Sequence, residues 1–357
     1  VGVIGGGNWG TAVARHLANG NEDEVKMWVH EEKVGGRNLT AIINESGMNV
    51  KYLPDIKLPS NLKACSDLGD VCKEADVIFL AIPHQFLSNV LKQMTNLLKK
   101  DVVVVSLIKG LTIREDGPEL LSSIISSMLN LETEVAVLMG ANVASDVAHD
   151  ELVEASIACK DLAIAELIRD LVEKNKFEVD MLTTDVASVE LCGALKNVVA
   201  LGAGFCDGLG VGPSTKAAII RKGMHEMVLF CNLFSGGSFS LETMLSSCGV
   251  ADIIATCFGG RNRKCAEEYA RRMLSLGEDD LGQEKAANLW SEIEEELLKG
   301  QKLQGLGTCE EVMMCLTSGV GQDRSAFKLF PLIYEIAFKG RDVKSLLLSF
   351  SELKSRL

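Results

Sequence analysis

The chain opens on Val1-Gly2-Val3-Ile4, a short apolar run, and passes directly into Gly5-Gly6-Gly7-Asn8-Trp9-Gly10 and then the helical pattern of Thr11 to Leu17. Few local sequences restrict a fold as much as strand, GxGxxG, helix. Gly5 makes the tight turn, Gly7 lets a pyrophosphate approach the backbone, and Gly10 lets the helix lie close to the strand. The helix N-terminus adds the positive end of its dipole. This turn points to an open parallel α/β sheet and reserves residues 5–10 for a dinucleotide.

The rest of the amino-terminal half agrees. Val25 to Val29 reads as a second strand, followed by His30, Glu31 and Glu32, where the ligand of the adenosine ribose should stand. Acid without an adjacent arginine favours NAD over NADP, with Glu31 or Glu32 as the ribose ligand. Further strands are expected at Asp76 to Ile82, Asp101 to Leu107, Val135 to Met139 and Glu154 to Cys159. Runs such as Val102-Val103-Val104-Val105 are continuous, as in strands covered on both faces. The expected fold is a doubly wound parallel sheet, in which ligands bind at the carboxyl ends of the strands. Pro83-His84-Gln85-Phe86, Ile108-Lys109-Gly110 and Gly140-Ala141-Asn142-Val143-Ala144 occupy those ends. Lys109, followed by glycine, is read as a ligand contact.

From Asp185 onward strand signals stop and helical patterns dominate, so the boundary is placed at residue 184, with a nucleotide-binding domain over 1–184 and an all-α domain over 185–357. Asp185 to Gly212 begins a helix that is apolar nearly all round and therefore buried. Lys196 is the only charge on the stripe that also carries Val189, Gly193, Ala200 and Ala203, and a buried lysine needs partners or a task. Pro213-Ser214-Thr215 opens the next helix, with serine or threonine as the expected N-cap. Further on, Asp252 and Thr256 fall one turn apart on a common face. Gly259-Gly260 breaks that helix, and Arg261-Asn262 begins another, where free amides and a guanidinium suit a phosphate dianion. Glu292 to Glu296 reads as a wet helical face, and Gly300 to Gly305 as a loop.

Composition narrows the function. With a net charge of −13 over 357 residues, general nucleic-acid or anionic-membrane binding is not expected, and an anionic substrate must meet a local cluster of cations. The 11 cysteines show no CxxC pair and no zinc-like spacing with histidine, which fits a reducing compartment and gives no metal site. No apolar run reaches the roughly 18 residues of a membrane span. The chain starts at Val1 without methionine, so a few residues are expected to precede it. Ser355-Arg356-Leu357 is one substitution from a peroxisomal tripeptide; a chance basic tail is the first reading, and import into a peroxisome or related organelle the alternative.

A nicotinamide site, a buried lysine and a phosphate cradle together suggest hydride transfer to or from a carbon bearing oxygen on a small phosphorylated molecule. The carbonyl oxygen gains charge as hydride arrives and needs a positioned acid. The five histidines form no comparable cluster, which leaves Lys196.

These blocks resemble the eukaryotic cytosolic type of NAD-dependent glycerol-3-phosphate dehydrogenase over nearly the whole chain. The resemblance rests on GGGNWG at 5–10, NVKYLP at 49–54, PHQF at 83–86, SLIKG at 106–110, LMGAN at 138–142, ELCGALKNVVALGAGFCDGLG at 190–210, CGVADIIATCFGGRNRK at 248–264 and GQKLQG at 300–305. It implies Lys196 as acid/base, with Lys109, Asn197, Asp252 and Thr256 around the reacting carbonyl. Arg261 and Asn262 correspond to substrate-phosphate ligands, and Asn142 joins the substrate contacts. Gly5, Gly6, Gly7, Asn8, Trp9, Gly10, His30, Phe86, Ala144, Arg261, Lys302 and Gln304 correspond to cofactor contacts, Lys302 and Gln304 on a loop expected to close over the nucleotide. The implied reaction reduces dihydroxyacetone phosphate with NADH to sn-glycerol 3-phosphate, in a cytoplasmic homodimer. Two positions depart from the pattern: Gly6 replaces a more usual serine, and His30 stands where animal relatives place phenylalanine near the adenine.

Overall fold

The four valines of 102–105 divide between two cores. Val103 and Val105 pack with Val3, Phe79 and Leu138, while Val102 and Val104 pack with Ile4, Ile78 and Leu80. A strand sends alternate side chains to opposite faces, so an unbroken apolar run supplies a buried layer on each side of a sheet. In the computed structural model, which describes residues 1–20, 23–114, 117–174, 176–182, 185–235, 239–277, 280–317 and 325–347, that sheet has eight strands. They are β1 (Gly2–Ile4), β2 (Val25–Trp28), β3 (Leu62–Cys65), β4 (Val77–Leu80), β5 (Val103–Ser106), β6 (Ala136–Met139), β7 (Val153–Ala158) and β8 (Phe177–Met181), in the order β8-β7-β6-β5-β4-β1-β2-β3.

From β3 to β6 all neighbours are parallel, as read from the sequence. The strand order reverses between β1 and β4, the switch point at which such sheets bind ligands. At the other end β7 runs antiparallel to β6, with Leu138 opposite Ile157, and β8 runs parallel to β7. The two strands that the sequence reading missed, β3 and β8, are the edges. Their sequences LKAC and FEVDM alternate, burying Leu62, Ala64 and Phe177 and exposing Lys63 and Glu178, so they lack the continuous apolar signature of the centre.

One compact unit comprises Val1–Lys109, Glu119–Glu190 and Ser246–Cys248 and contains the sheet; the other comprises Gly110–Pro118, Leu191–Leu245 and Gly249–Leu357. The sheet unit has helices on both faces, beginning with α1 (Asn8–Ala18). Within it the fully buried Glu190 carboxylate accepts the N–H groups of Leu121, and of Ser122 at 3.3 Å, capping the helix Leu121–Leu129. Burial pushes this carboxyl up to about 7.

The second unit is helical: α2 (Val186–Gly208) from Leu191 onward, α3 (Pro213–Phe234), α4 (Asp252–Gly259), α5 (Arg261–Leu276), α6 (Gln283–Leu298) and α7 (Gln304–Thr317). Residues 110–118 also cluster here, and Thr112–Arg114 pairs with Gly117–Glu119 in a two-stranded sheet, a departure from an all-α expectation. Leu191, Leu195, Val198 and Leu201 of α2 are completely buried. Among the described residues α2 is the one helix long and apolar enough to cross a membrane, contrary to the sequence reading, and 89% of the window that qualifies is buried in protein. Its glycines set the packing: a Cβ on Gly204 would lie 2.2 Å from the Arg263 carbonyl oxygen, and one on Gly208 2.5 Å from the Glu267 carbonyl oxygen. The α5 backbone can therefore lie directly on α2. Tyr269 of α5 stacks on Trp290 of α6 at 4.3 Å between ring centres. The expected Ser214 or Thr215 cap of α3 is absent; Gly212 takes the cap position and Pro213 the first helical position, whose N–H would have no partner in any case.

Candidate active site

In the sheet unit the glycine turn is built as its spacing requires. Gly5 has φ +131°, and a Cβ there would stand 2.4 Å from the Ala81 carbonyl oxygen at the end of β4. On Gly10 a Cβ would be 1.8 Å from the Gly5 carbonyl oxygen, so the first turn of α1 is held against the turn by the missing side chain. Above Gly7 nothing lies within 4 Å, and the N-terminus of α1, beginning at Asn8 and Trp9, has no side-chain cap. Amides without a cap beside open space are what a pyrophosphate needs, so these residues fit a dinucleotide. Gly6 has its own reason: a Cβ would meet Val29 Cγ2 at 2.6 Å, which makes the departure from serine a packing matter.

Nothing local singles out Asn49 within NVKYLP. Its completely buried amide donates to the Gly6 carbonyl at 2.9 Å and to Thr11 Oγ1 at 2.8 Å, tying the turn to the first turn of α1. A buried asparagine that fastens a glycine turn from 43 residues away leaves no local signal.

Beyond β2, His30 is exposed, its ring 6.2 Å from that of Trp28. The two expected ribose ligands have partners in the protein. Glu31 takes the Thr40 hydroxyl at 2.5 Å and the Thr40 N–H at 3.3 Å, and Glu32 pairs with Lys51. The other strand-end residues stand where the parallel order put them. Phe86 ends a short 3-10 turn after β4 and is 55% exposed, large for an aromatic ring. Lys109, past β5, donates to the Gly140 carbonyl at 3.4 Å. Asn142, past β6, is buried with its Nδ2 lacking a hydrogen-bond partner, and Ala144 starts the next short helix.

In the helical unit, α2 delivers Lys196 and α4 delivers Asp252 and Thr256, the latter pair one turn apart as their spacing requires. A π-helical turn, Ser247–Ala251, leads into α4. The Lys196 ammonium is ion-paired with Asp252 and donates to Thr256 Oγ1 at 2.7 Å, and the lysine and aspartate side chains are only 7% and 4% exposed. Both ends of a buried charge pair are thus compensated, which is the condition for tolerating it. One residue along α2, Asn197 accepts the Asn262 amide N–H at 2.8 Å, and Asn262 Oδ1 accepts the Gly305 N–H at 3.0 Å. The start of α5 has Gly260 at its cap position, no side-chain cap, and an exposed Arg261 whose guanidinium donates to Gln301 at 3.3 Å. Lys302 lies in the segment between α6 and α7, while Gln304 begins α7, so the expected loop stops short of Gly305. Within the helical unit Lys196, Asn197, Asp252, Thr256, Asn262 and Arg261 are thus gathered on adjoining elements, and Lys109, Asn142, Phe86 and Ala144 gather at the strand ends of the sheet unit. Among the described residues no cluster of histidine, cysteine and acidic side chains could hold a metal ion.

An open sheet with a glycine nucleotide turn at its switch point, joined to a helical unit carrying a buried, paired lysine, defines a nicotinamide-dependent oxidoreductase of the Rossmann type. Family models for the N-terminus and the C-terminus of NAD-dependent glycerol-3-phosphate dehydrogenase match residues 1–165 and 185–348. The human protein named glycerol-3-phosphate dehydrogenase [NAD(+)], cytoplasmic, is 43% identical over 96% of this chain and 94% of its own length. The human glycerol-3-phosphate dehydrogenase 1-like protein is 42% identical over 97% of this chain and 95% of its own. Solved structures of glycerol-3-phosphate dehydrogenase from Plasmodium falciparum and Saccharomyces cerevisiae superpose with TM-scores of 0.86 and 0.82 at 34% and 39% identity, covering 98% and 97% of this chain and 94% and 97% of theirs. The chain belongs to the NAD-dependent glycerol-3-phosphate dehydrogenase family, whose cofactor is NAD.

Proposed function

We propose that this chain interconverts dihydroxyacetone phosphate and sn-glycerol 3-phosphate with NADH and NAD, using Lys196 as general acid and base. The observation that carries the reading is the Lys196 ammonium, buried and held by Asp252 and Thr256 Oγ1 in the same helical unit as the amides and guanidinium at the start of α5. An ammonium held beside a carboxylate is placed to deliver a proton to a carbonyl oxygen as that oxygen acquires charge. In the reverse direction the neutral amine takes the hydroxyl proton, so alcohol oxidation should speed up as pH rises.

Arg261 and the first amides of α5, with Asn262, bind the phosphate; Asn197 holds Asn262 and faces the reacting end. Lys109 and Asn142 complete the substrate contacts. Gly5, Gly6, Gly7, Asn8, Trp9 and Gly10 hold the pyrophosphate, with His30, Phe86, Ala144, Arg261, Lys302 and Gln304 as the other cofactor contacts. Bound NADH supplies the hydride. In this reading residues 1–184 form the NAD-binding domain with most of the nucleotide contacts, residues 185–357 carry the acid/base and the phosphate ligands, and the working form is a homodimer, placed in the cytoplasm as relatives named cytoplasmic suggest. The Ser355-Arg356-Leu357 tail lies outside the described residues; fused to a fluorescent reporter it should stay diffuse, and punctate peroxisomal signal would support the alternative address.

The test is NADH oxidation by the purified protein with dihydroxyacetone phosphate, beside NADPH, unphosphorylated dihydroxyacetone and Lys196→Ala. Turnover should require NADH and the phosphate and fall by about a hundredfold or more in the variant. Wild-type rates in Lys196→Ala would make the lysine structural and remove the proposed acid.

A further inference from the structure

Glu294 lies in the acidic run 292–296 that reads as a solvated face, yet it is 4% exposed, while Glu292 and Glu296 side chains are 64% and 57% exposed. A carboxylate is buried at such a position only if its oxygens are occupied. One accepts the Leu303 N–H at 2.9 Å and the other the Lys302 ammonium at 2.6 Å, while the Glu294 main-chain carbonyl accepts the Gly300 N–H at 3.1 Å. All three partners belong to the short segment between α6 and α7. The chain leaves α6 through Lys299 and Gly300, at φ 53° and 78°, a reversal that leaves the following residues outside helical bonding. Within the segment Gln301 accepts from Arg261, and just beyond it Gly305, in the first turn of α7, donates to Asn262. The segment proposed to touch both cofactor and phosphate ligand is therefore fastened from inside by one side chain that is itself out of solvent. The Lys302 side chain is 74% exposed, and its charge is nonetheless engaged with that interior carboxylate.

We propose that Glu294 is a positioning residue, which fixes the 300–303 turn so that Lys302 and Gln304 are presented to the nucleotide and Gln301 meets Arg261. The inference rests on the reading that this segment contacts NAD. Glu294 acts through the turn and takes no proton in the reaction. Its two oxygens have separable tasks: a glutamine keeps an acceptor for the Leu303 N–H and loses the ion pair to Lys302, whereas an alanine loses both.

The experiment compares wild type, Glu294→Gln and Glu294→Ala in two measurements: the dissociation constant of NADH by fluorescence titration, and the rate of tryptic cleavage after Lys299 and Lys302 by mass spectrometry. Loss of a charged, buried hydrogen-bond pair should weaken NADH binding about tenfold in Glu294→Ala and speed cleavage at both lysines by a similar factor. Glu294→Gln should retain most of the protection and weaken NADH about threefold, since the backbone bond survives. Binding within twofold of wild type in Glu294→Ala overturns the proposal even if cleavage accelerates. Should Glu294→Ala not fold, Glu294→Gln decides, and wild-type values in both measurements overturn it. If the wild-type protein binds no NADH, the functional reading falls, and the cleavage rates still judge whether Glu294 anchors the turn.

Discussion

The glycine turn of the sheet unit and the lysine cluster of the helical unit are two opposite ways to make a site. At residues 5–10 the working surface is backbone, and side chains matter by their absence: Gly5, Gly6 and Gly10 each sit where a Cβ would press into a neighbour, and Gly7 opens on free space. Around Lys196 the working surface is side chain, gathered from α2, α4 and α5, and each member is held by another. A backbone site tolerates no added atom at its close contacts, and a side-chain site tolerates no missing partner.

That contrast can be broken at several points. The largest effect is expected from Asp252→Leu, which leaves the Lys196 charge buried without its carboxylate; urea denaturation should show a loss of about 3–5 kcal/mol. A loss below about 1 kcal/mol, the range of an exposed pair, would mean that water reaches the lysine.

Gly10→Ala comes next. With a Cβ 1.8 Å from a main-chain oxygen, α1 must shift, and a destabilisation of about 1–3 kcal/mol together with loss of NADH binding is expected. An unchanged NADH affinity would show that the close contact of α1 with the turn is dispensable.

Glu190 offers a pH-dependent comparison within the sheet unit. Folded, this acid keeps its proton until about pH 7, while the unfolded chain releases it near the ordinary glutamate value of 4.5. Unfolding between those values therefore releases a proton, so this group's contribution is complete below the unfolded value and is lost as pH rises toward the folded one. The difference amounts to up to about 3 kcal/mol between pH 4.5 and 7. Glu190→Gln should lack that slope, becoming more stable relative to wild type at pH 8 than at pH 5; parallel curves would show that the buried carboxyl does not titrate in this window.

The smallest structural effect belongs to Gly7→Ala. With φ −73° and nothing within 4 Å, alanine should change stability by less than about 1 kcal/mol, while weakening NADH by obstructing the approach of the pyrophosphate. Wild-type NADH affinity in this variant would place the pyrophosphate away from Gly7.

The legibility of the two regions differs for the same reason. Adjacent residues carry the turn, so strand, GGGNWG and helix could be read directly, as could the one-turn spacing of Asp252 and Thr256 and the break at Gly259-Gly260. Asn49 could not: its bonds to Gly6 and Thr11 span long separations. Nor could the burial of Glu294, because a run of five residues with four acids looks solvated whichever one turns inward. The capping of α3 differs from the hydroxyl cap its sequence suggests, since Gly212 and Pro213 satisfy the helix start without a hydroxyl.

By itself, the sequence determined the nucleotide turn, the two-face burial of the central strands and the all-round burial of α2 with one lysine in it. These depend on backbone freedom and on periodicity, which are properties of neighbouring residues. Only the tertiary structure decided that β7 turns against β6, that β3 and β8 close the sheet edges, that Asn49 fastens Gly6, and that Glu294 holds the turn before α7. Each of these is settled by which distant groups can pair once the apolar faces are buried, and a buried polar atom takes the partner that packing brings to it.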